Sequence, residues 1–194
     1  MTAIELSRWF DRLLEPNAFA AADPSRNGLQ VDNGGIPIAR VAFAVDASLE
    51  TIERATAAGA GMLVVHHGLF WRESERLTGY HYKRIKALLD SGLALYASHL
   101  PLDAHAECGN NAGLAARIGL GKLRPFGLWR GCLIGYAGEL ETAVDLDEIL
   151  RRLFPDGKEP AHILPFGPRA IRTVGIVSGG ASDNVHDAIA EGLD

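Results

Sequence analysis

Cysteine is scarce. Cys108 and Cys132 are too few for a disulfide framework and do not form a Cys-x-x-Cys pair, so two free thiols in a reducing cytosol are expected. Long apolar runs are missing as well: nowhere do about 18 consecutive apolar residues occur, and no membrane-spanning helix is predicted. The opening "MTAIELSRWF" has no apolar h-region and no small-residue cleavage site, so no signal peptide is visible and a cytoplasmic protein is expected. Positive charge is short too, with 19 Lys and Arg against 24 Asp and Glu, a net charge of −5. No basic run exceeds a few residues, which gives no support for a generic binder of nucleic acid or anionic membrane. A local basic patch stays open, because steering depends on charge distribution as well as on the total. Lys83, Arg84 and Lys86 read as a solvated helix face. Nor is there a nucleophile elbow or a kinase signature. "SGGAS" (Ser178 to Ser182) joins a strand to a helix as a phosphate loop would, but it lacks the P-loop Lys and the full dinucleotide spacing.

What is present is an ordinary soluble composition, 47% apolar and 22% charged, over 194 residues. That length suits one large α/β domain or two small ones. Thr2 and Glu5 form a capping box, and Leu6, Trp9, Phe10 and Leu13 fall on one helical face behind it. Pro16 stops that helix, and the turn-rich loop "ADPSRNGLQVDNGGIP" follows. Val41 to Val45 reads as a strand, then Ser48 caps a helix that stops at Gly59, and Met62 to Val65 is the next strand. A crossover helix of about a dozen residues implies parallel strands. The pattern repeats with a helix over Tyr82 to Ser91, a stop at Gly92 and a strand over Leu93 to Ser98. A helix over Asn111 to Ile118 follows. "RPFGLWRG" (Arg124 to Gly131) is the linker candidate, predicting domains at 1–126 and 127–194.

The segment from Ile38 can be laid over the segment from Ile171 without a gap, matching Val41 with Val174, Ile52 with Val185, Ala55 with Ala188 and Gly59 with Gly192. Identities are few, and two unrelated βα units would look similar. In the first copy a strand follows the helix, whereas the second stops at Asp194. Such a unit leaves apolar surface and a sheet edge uncovered, so the sequence reads as cut short.

Chemistry concentrates where the predicted strands end. "LVVHHGLFW" stops an apolar run on His66 and His67, and "LALYASHLPLDAH" carries His99, Asp103 and His105 past the end of the third strand. Ligands of a parallel α/β sheet gather beyond the carboxyl ends of its strands. Imidazole and carboxylate together suit zinc, manganese, iron or nickel. Adjacent histidines are awkward ligands for one ion but can feed two, about 3.5–4 Å apart, with a carboxylate bridging. The bland reading, a hydrogen-bonded structural histidine or a lone general base, remains open for the pair. His99 and His105 are open between ligands, partners of ligands and substrate contacts. His81, His162 and His186 sit in polar or helical contexts and read as non-ligands. Gly109, Asn110 and Asn111 read as a turn and helix cap before a substrate loop.

These motifs, "VVHHGLFW", "ASHLPLDAH" and "GNNAGLAARIGL", with "NGLQV" before and "VGIVSGGAS" after, resemble the NGG-interacting-factor-like dinuclear metal-centre family. Its bacterial members are often labelled GTP cyclohydrolase I type 2 homologs. The resemblance runs from "ELSRWFDRLL" to "AIAEGLD". It implies a two-domain α/β fold of parallel or mixed sheets flanked by helices, a dinuclear site in the interdomain cleft and a hexameric ring. His66, His67 and Asp103 match the family's first three metal ligands. The remaining His and Glu, on a Gly-His-His-x-x-x-Glu motif, would lie beyond Asp194, in a further segment of roughly 50 residues. Two ions are expected for a full-length chain; for this one, a single ion or a loosely held pair.

The resulting expectation is a metal-dependent hydrolase of a nucleotide-like or phosphorylated small molecule. His66, His67 and Asp103 hold metal, and His99 and His105 are the candidate acid or base. Ring opening of a purine is the version the family label suggests. The rival is a non-enzymatic metal-binding ring, a scaffold or metal chaperone for a protein or nucleic-acid partner.

Overall fold

The first helix, α1 (Ala3–Leu14), starts where its chemistry says it should. Thr2 Oγ1 accepts from the Glu5 backbone N–H, and the Glu5 carboxylate accepts from Thr2 N, closing the capping box. Its buried stripe differs from the expected one. Ala3, Ser7, Phe10 and Leu14 face inward, while Trp9 and Leu13 are exposed. Two of these four buried positions hold small residues, Ala3 and Ser7, which the pattern of large apolar residues alone does not show.

The computed structural model describes residues 1–72 and 76–194. Within them the chain forms two compact units, Met1–Leu102 and Asp103–Asp194. In the first, β1 (Gly28–Val31), β2 (Val41–Asp46), β3 (Met62–His67) and β4 (Ala94–Ala97) make a sheet in the order β1-β4-β3-β2. β2, β3 and β4 are parallel, as their crossover helices α2 (Leu49–Ala57) and α3 (Gly79–Ser91) require, and β1 joins β4 antiparallel. Ser48 caps α2, and Gly92 ends α3 in the left-handed conformation. Alternation along β3 builds two cores. Leu63 and Val65 pack with Ile52, Leu88 and Leu95, while Met62 and Val64 pack with Phe10, Leu14 and Tyr96 from the α1 side. Tyr96 is fully buried and its hydroxyl donates to Asp11 Oδ1 at 2.9 Å, tying α1 to the sheet.

α4 (Leu100–Ala104) carries the chain into the second unit. There α5 (Asn110–Ile118) precedes β5 (Leu120–Trp129) and β6 (Cys132–Val144), followed by α6 (Leu146–Leu153), β7 (Ile171–Ile176) and α7 (Val185–Ala190). The strands form an antiparallel sheet in the order β5-β6-β7, with Ala115, Ile118, Leu120, Leu140 and Ile149 as its core. The predicted linker at 124–131 is therefore a β-hairpin. Trp129 pairs with Cys132 across a turn made by Arg130 and Gly131, both at positive φ, the geometry a two-residue hairpin needs. A domain boundary at 126 would cut β5 in two; the division lies at 102/103. The proposed internal match holds only partly. Gly59 and Gly192 both adopt positive φ, but β7 begins three residues before Val174, the partner of Val41. The architecture is α/β, with sheets flanked by helices. Among the described residues no helix is long and apolar enough to cross a membrane.

Candidate metal centre

Because β2, β3 and β4 are parallel, their carboxyl ends share one edge of the first sheet. That edge carries Asp46, the His66–His67 pair, Ser98 and His99. His66, His67 and His99 converge there: one potential ligand atom from each lies within 4.8 Å of the others, and all three side chains are partly buried. The ring centroids stand 4.6 Å apart for His66 and His67, 4.9 Å for His66 and His99, and 5.6 Å for His67 and His99. Trp71 closes one side, its indole 5.2 Å from the His99 ring.

Each imidazole is oriented through Nδ1. His66 Nδ1 meets the Ser98 carbonyl at 3.1 Å, His67 Nδ1 the Asp46 carboxylate at 2.7 Å, and His99 Nδ1 the Asp23 carboxylate at 2.9 Å. All three partners are acceptors, so each Nδ1 donates, and in the neutral ring the lone pair sits on Nε2. This is the arrangement metal-binding histidines use: the outer nitrogen anchored by an oxygen, the inner one offered to the ion. The residues fit a transition metal.

Asp23 is the most elaborated of these anchors. It is 2% exposed, and its Oδ1 accepts from Ser25 N and His99 Nδ1 while Oδ2 accepts from Asn27 Nδ2 and Leu100 N. Burial pushes its carboxyl up, but the hydrogen bonds from His99, Asn27 and Ser25 outweigh that and hold it below the usual carboxylate range. Asn27 Oδ1 also accepts from His99 N at 2.8 Å, fixing the backbone as well as the ring. The glycine after the histidine pair has a packing reason. A Cβ on Gly68 would stand 2.4 Å from Gln30 Oε1 and 2.6 Å from Ala97 Cβ. Gln30 needs that space, since its Oε1 accepts from the Leu69 and Phe70 N–H groups while its Nε2 donates to Arg26 O and Phe70 O.

Asp103 and His105 belong to the second unit. Asp103 is buried, and its Oδ1 accepts from Asn110 Nδ2 at 2.7 Å and Ser178 Oγ at 2.9 Å. Asn111 is fully buried beside it, donating through Nδ2 to the carbonyls of Asp103 and Ile134 and accepting at Oδ1 from Ser178 N. The Asn pair is thus a staple between segments; Gly109 occupies the cap position of α5, with no side-chain cap. "SGGAS" is the segment this staple grips, through Ser178. His105 Nδ1 faces the backbone N–H groups of Glu107 and Cys108 and the Cys108 thiol, closing its own turn. His81 lies buried on α3 against Phe70 and Arg84, and His162 and His186 are exposed.

Asp46, Asp23 and Asn27 were not singled out from sequence. Asp46 had a signal, because the rule that selects residues at the carboxyl ends of parallel strands selects it along with His67, its register partner. Asp23 and Asn27 had none beyond a turn-rich loop.

A two-unit α/β fold with histidines gathered at a strand-end edge defines a candidate metal-binding protein. The chain belongs to the Duf34/NIF3 (NGG1p interacting factor 3) family, which matches residues 1–194. It is 44% identical to a GTP cyclohydrolase 1 type 2 homolog of Treponema pallidum, covering 100% of this chain and 79% of the relative. Among solved structures it is similar to protein ybgI, of unknown function, with 32% identity and a TM-score of 0.89 over 100% of this chain and 76% of that one. TTHA1606 from Thermus thermophilus is 34% identical, with a TM-score of 0.84 over 100% and 75%.

Proposed function

We propose that this chain is a metal-dependent hydrolase of a nucleotide-like or phosphorylated small molecule, with His66, His67 and Asp103 as metal ligands. The observation that carries the reading is the convergence of His66 and His67, assigned to the metal, with His99, assigned to the proton, each ring anchored through Nδ1 to an acceptor. Zinc, iron, manganese and nickel all suit this donor set. When bound, the metal supplies Lewis acidity. Asp46 keeps the His67 ring in place, and the Ser98 carbonyl does the same for His66. Asp103, four residues after His99 in the chain, is the carboxylate proposed as the third ligand. His99, paired with the buried Asp23, is the group that takes up and returns a proton at Nε2, the role a His–Asp pair is built for. His105, engaged with its own turn, is given no part in the chemistry. The name borne by the Treponema relative supports a nucleotide as substrate. Assembly into a ring of six goes with the same reading, and light scattering showing a monomer at micromolar concentration would contradict it.

The division of labour is testable by measuring metal content and turnover on the same samples, with a panel of nucleotides and phosphate esters as substrates. His66→Ala and His67→Ala should lose both. His99→Gln should keep its metal and lose turnover by about 10²–10⁴-fold. If His99→Gln loses metal as fully as His67→Ala, His99 is a ligand and the assignment of the proton to it is wrong.

A further inference from the structure

Beside the three histidines, within the first unit, lies a hollow of about 400 Å³ lined by Arg26, Asn27, Gln30, Phe70, Trp71 and Arg72 among others. Two of its walls are shared with the candidate centre. Trp71 packs its indole against His99, and Asn27 accepts the His99 backbone N–H. The floor is braced: the Gln30 amide links Arg26 O to the N–H groups of Leu69 and Phe70, Arg26 N donates to Phe70 O, and Ser25 forms a bridge to Trp71. Among the described residues the lining contains the guanidinium groups of Arg26 and Arg72 and no carboxylate, and Arg72 is steadied by donating from Nη2 to Ala21 O, which leaves its other N–H groups to a ligand. Among the described residues no carboxylate lies within ion-pair distance of Arg26.

We propose that this hollow is the subsite for the non-reacting end of the substrate, and that it takes a mononucleotide-like anion. Its phosphate sits on Arg26 and Arg72, and its planar ring lies against Trp71. The inference rests on the metal-centre reading above and adds the ligand's class and its place. Guanidinium is the side chain suited to phosphate because its planar fork donates two parallel hydrogen bonds. Indole offers a flat face for a heterocycle, and stacking of a base on an aromatic side chain tolerates any base. The volume is at the low end of the roughly 300–1,000 Å³ of small-molecule pockets, so it suits one small ligand and not a polymer. A ligand held there has its other end beside His99 and His67, since Trp71 stands 5.2 Å and 6.4 Å from their rings.

Calorimetric titration of the intact chain tests this with three probes: guanosine monophosphate, guanosine and inorganic phosphate. The monophosphate should bind more tightly than either fragment. Arg26→Gln, a change at an exposed residue, should weaken it about tenfold or more, the loss of one charge-assisted hydrogen bond. Trp71→Leu should weaken the monophosphate and guanosine alike while sparing phosphate, and Arg54→Gln, remote from the hollow, should change nothing. Monophosphate binding no tighter than phosphate, or unaltered by both Arg26→Gln and Trp71→Leu, overturns the proposal. Metal content is measured in the same samples. Metal held without nucleotide binding counts against the subsite alone, and nucleotide bound by a chain that holds no metal counts against the metal centre alone.

Discussion

Three imidazoles anchored by three oxygens give each residue of the centre a separable task. Asp46 is exposed and its carboxylate touches His67, so removing it should loosen the ring without disturbing the core. Asp46→Ala is expected to weaken metal binding about 10–100-fold with an unchanged melting temperature. Equal affinity in the two proteins would show that His67 needs no anchor. Asp23 combines both roles. Asp23→Asn turns one of the two acceptor oxygens of a buried group that receives four hydrogen bonds into a donor, so it should cost about 1–3 kcal/mol of stability in addition to misaligning His99. Gly68 is a packing residue: Gly68→Ala should cost about 1–3 kcal/mol by driving a methyl into Gln30 and Ala97, and a wild-type melt would refute that. The histidines themselves were legible in sequence, because an apolar strand has no reason of its own to end on two imidazoles. Their anchors were less so. A carboxylate in a turn-rich loop announces nothing until the fold brings it, as with Asp23, 76 residues along the chain to His99.

Among the elements, those specified by local rules were readable. The capping box of α1, the Ser48 cap of α2, the glycine stop of α3 and the parallel run β2-β3-β4 follow from neighbours in sequence. Those decided by distant contacts were not. The inward face of α1 includes the small residues Ala3 and Ser7, which no run of large apolar residues marks, and the 124–131 segment looks like a linker because Gly, Pro and aromatic residues also serve a hairpin. The "GNN" at α5 reads as a cap, yet Asn111 is a buried staple joining the Asp103 carbonyl, β6 and Ser178. Asn111→Ala strands those groups and should cost about 1–3 kcal/mol, a fall of about 2–4 °C per kcal/mol in a chain of this size. A variant that melts with the wild type would mean the three segments hold together without it.

At the scale of the whole molecule, each unit carries its own core, and the imidazole cluster sits entirely on the first. Metal that binds only the folded chain should therefore stabilise it, by about 2.7 kcal/mol at a hundredfold excess over Kd. The most direct measurement is titration of metal-stripped protein with cobalt(II), whose visible absorption reports nitrogen and oxygen ligation. The wild type and His162→Ala should develop the same saturable band. His66→Ala and His67→Ala should each lose it. A wild type that takes up no cobalt, or a His66→Ala/His67→Ala double variant that binds it as the wild type does, would contradict the assignment of this edge of the sheet as a metal centre.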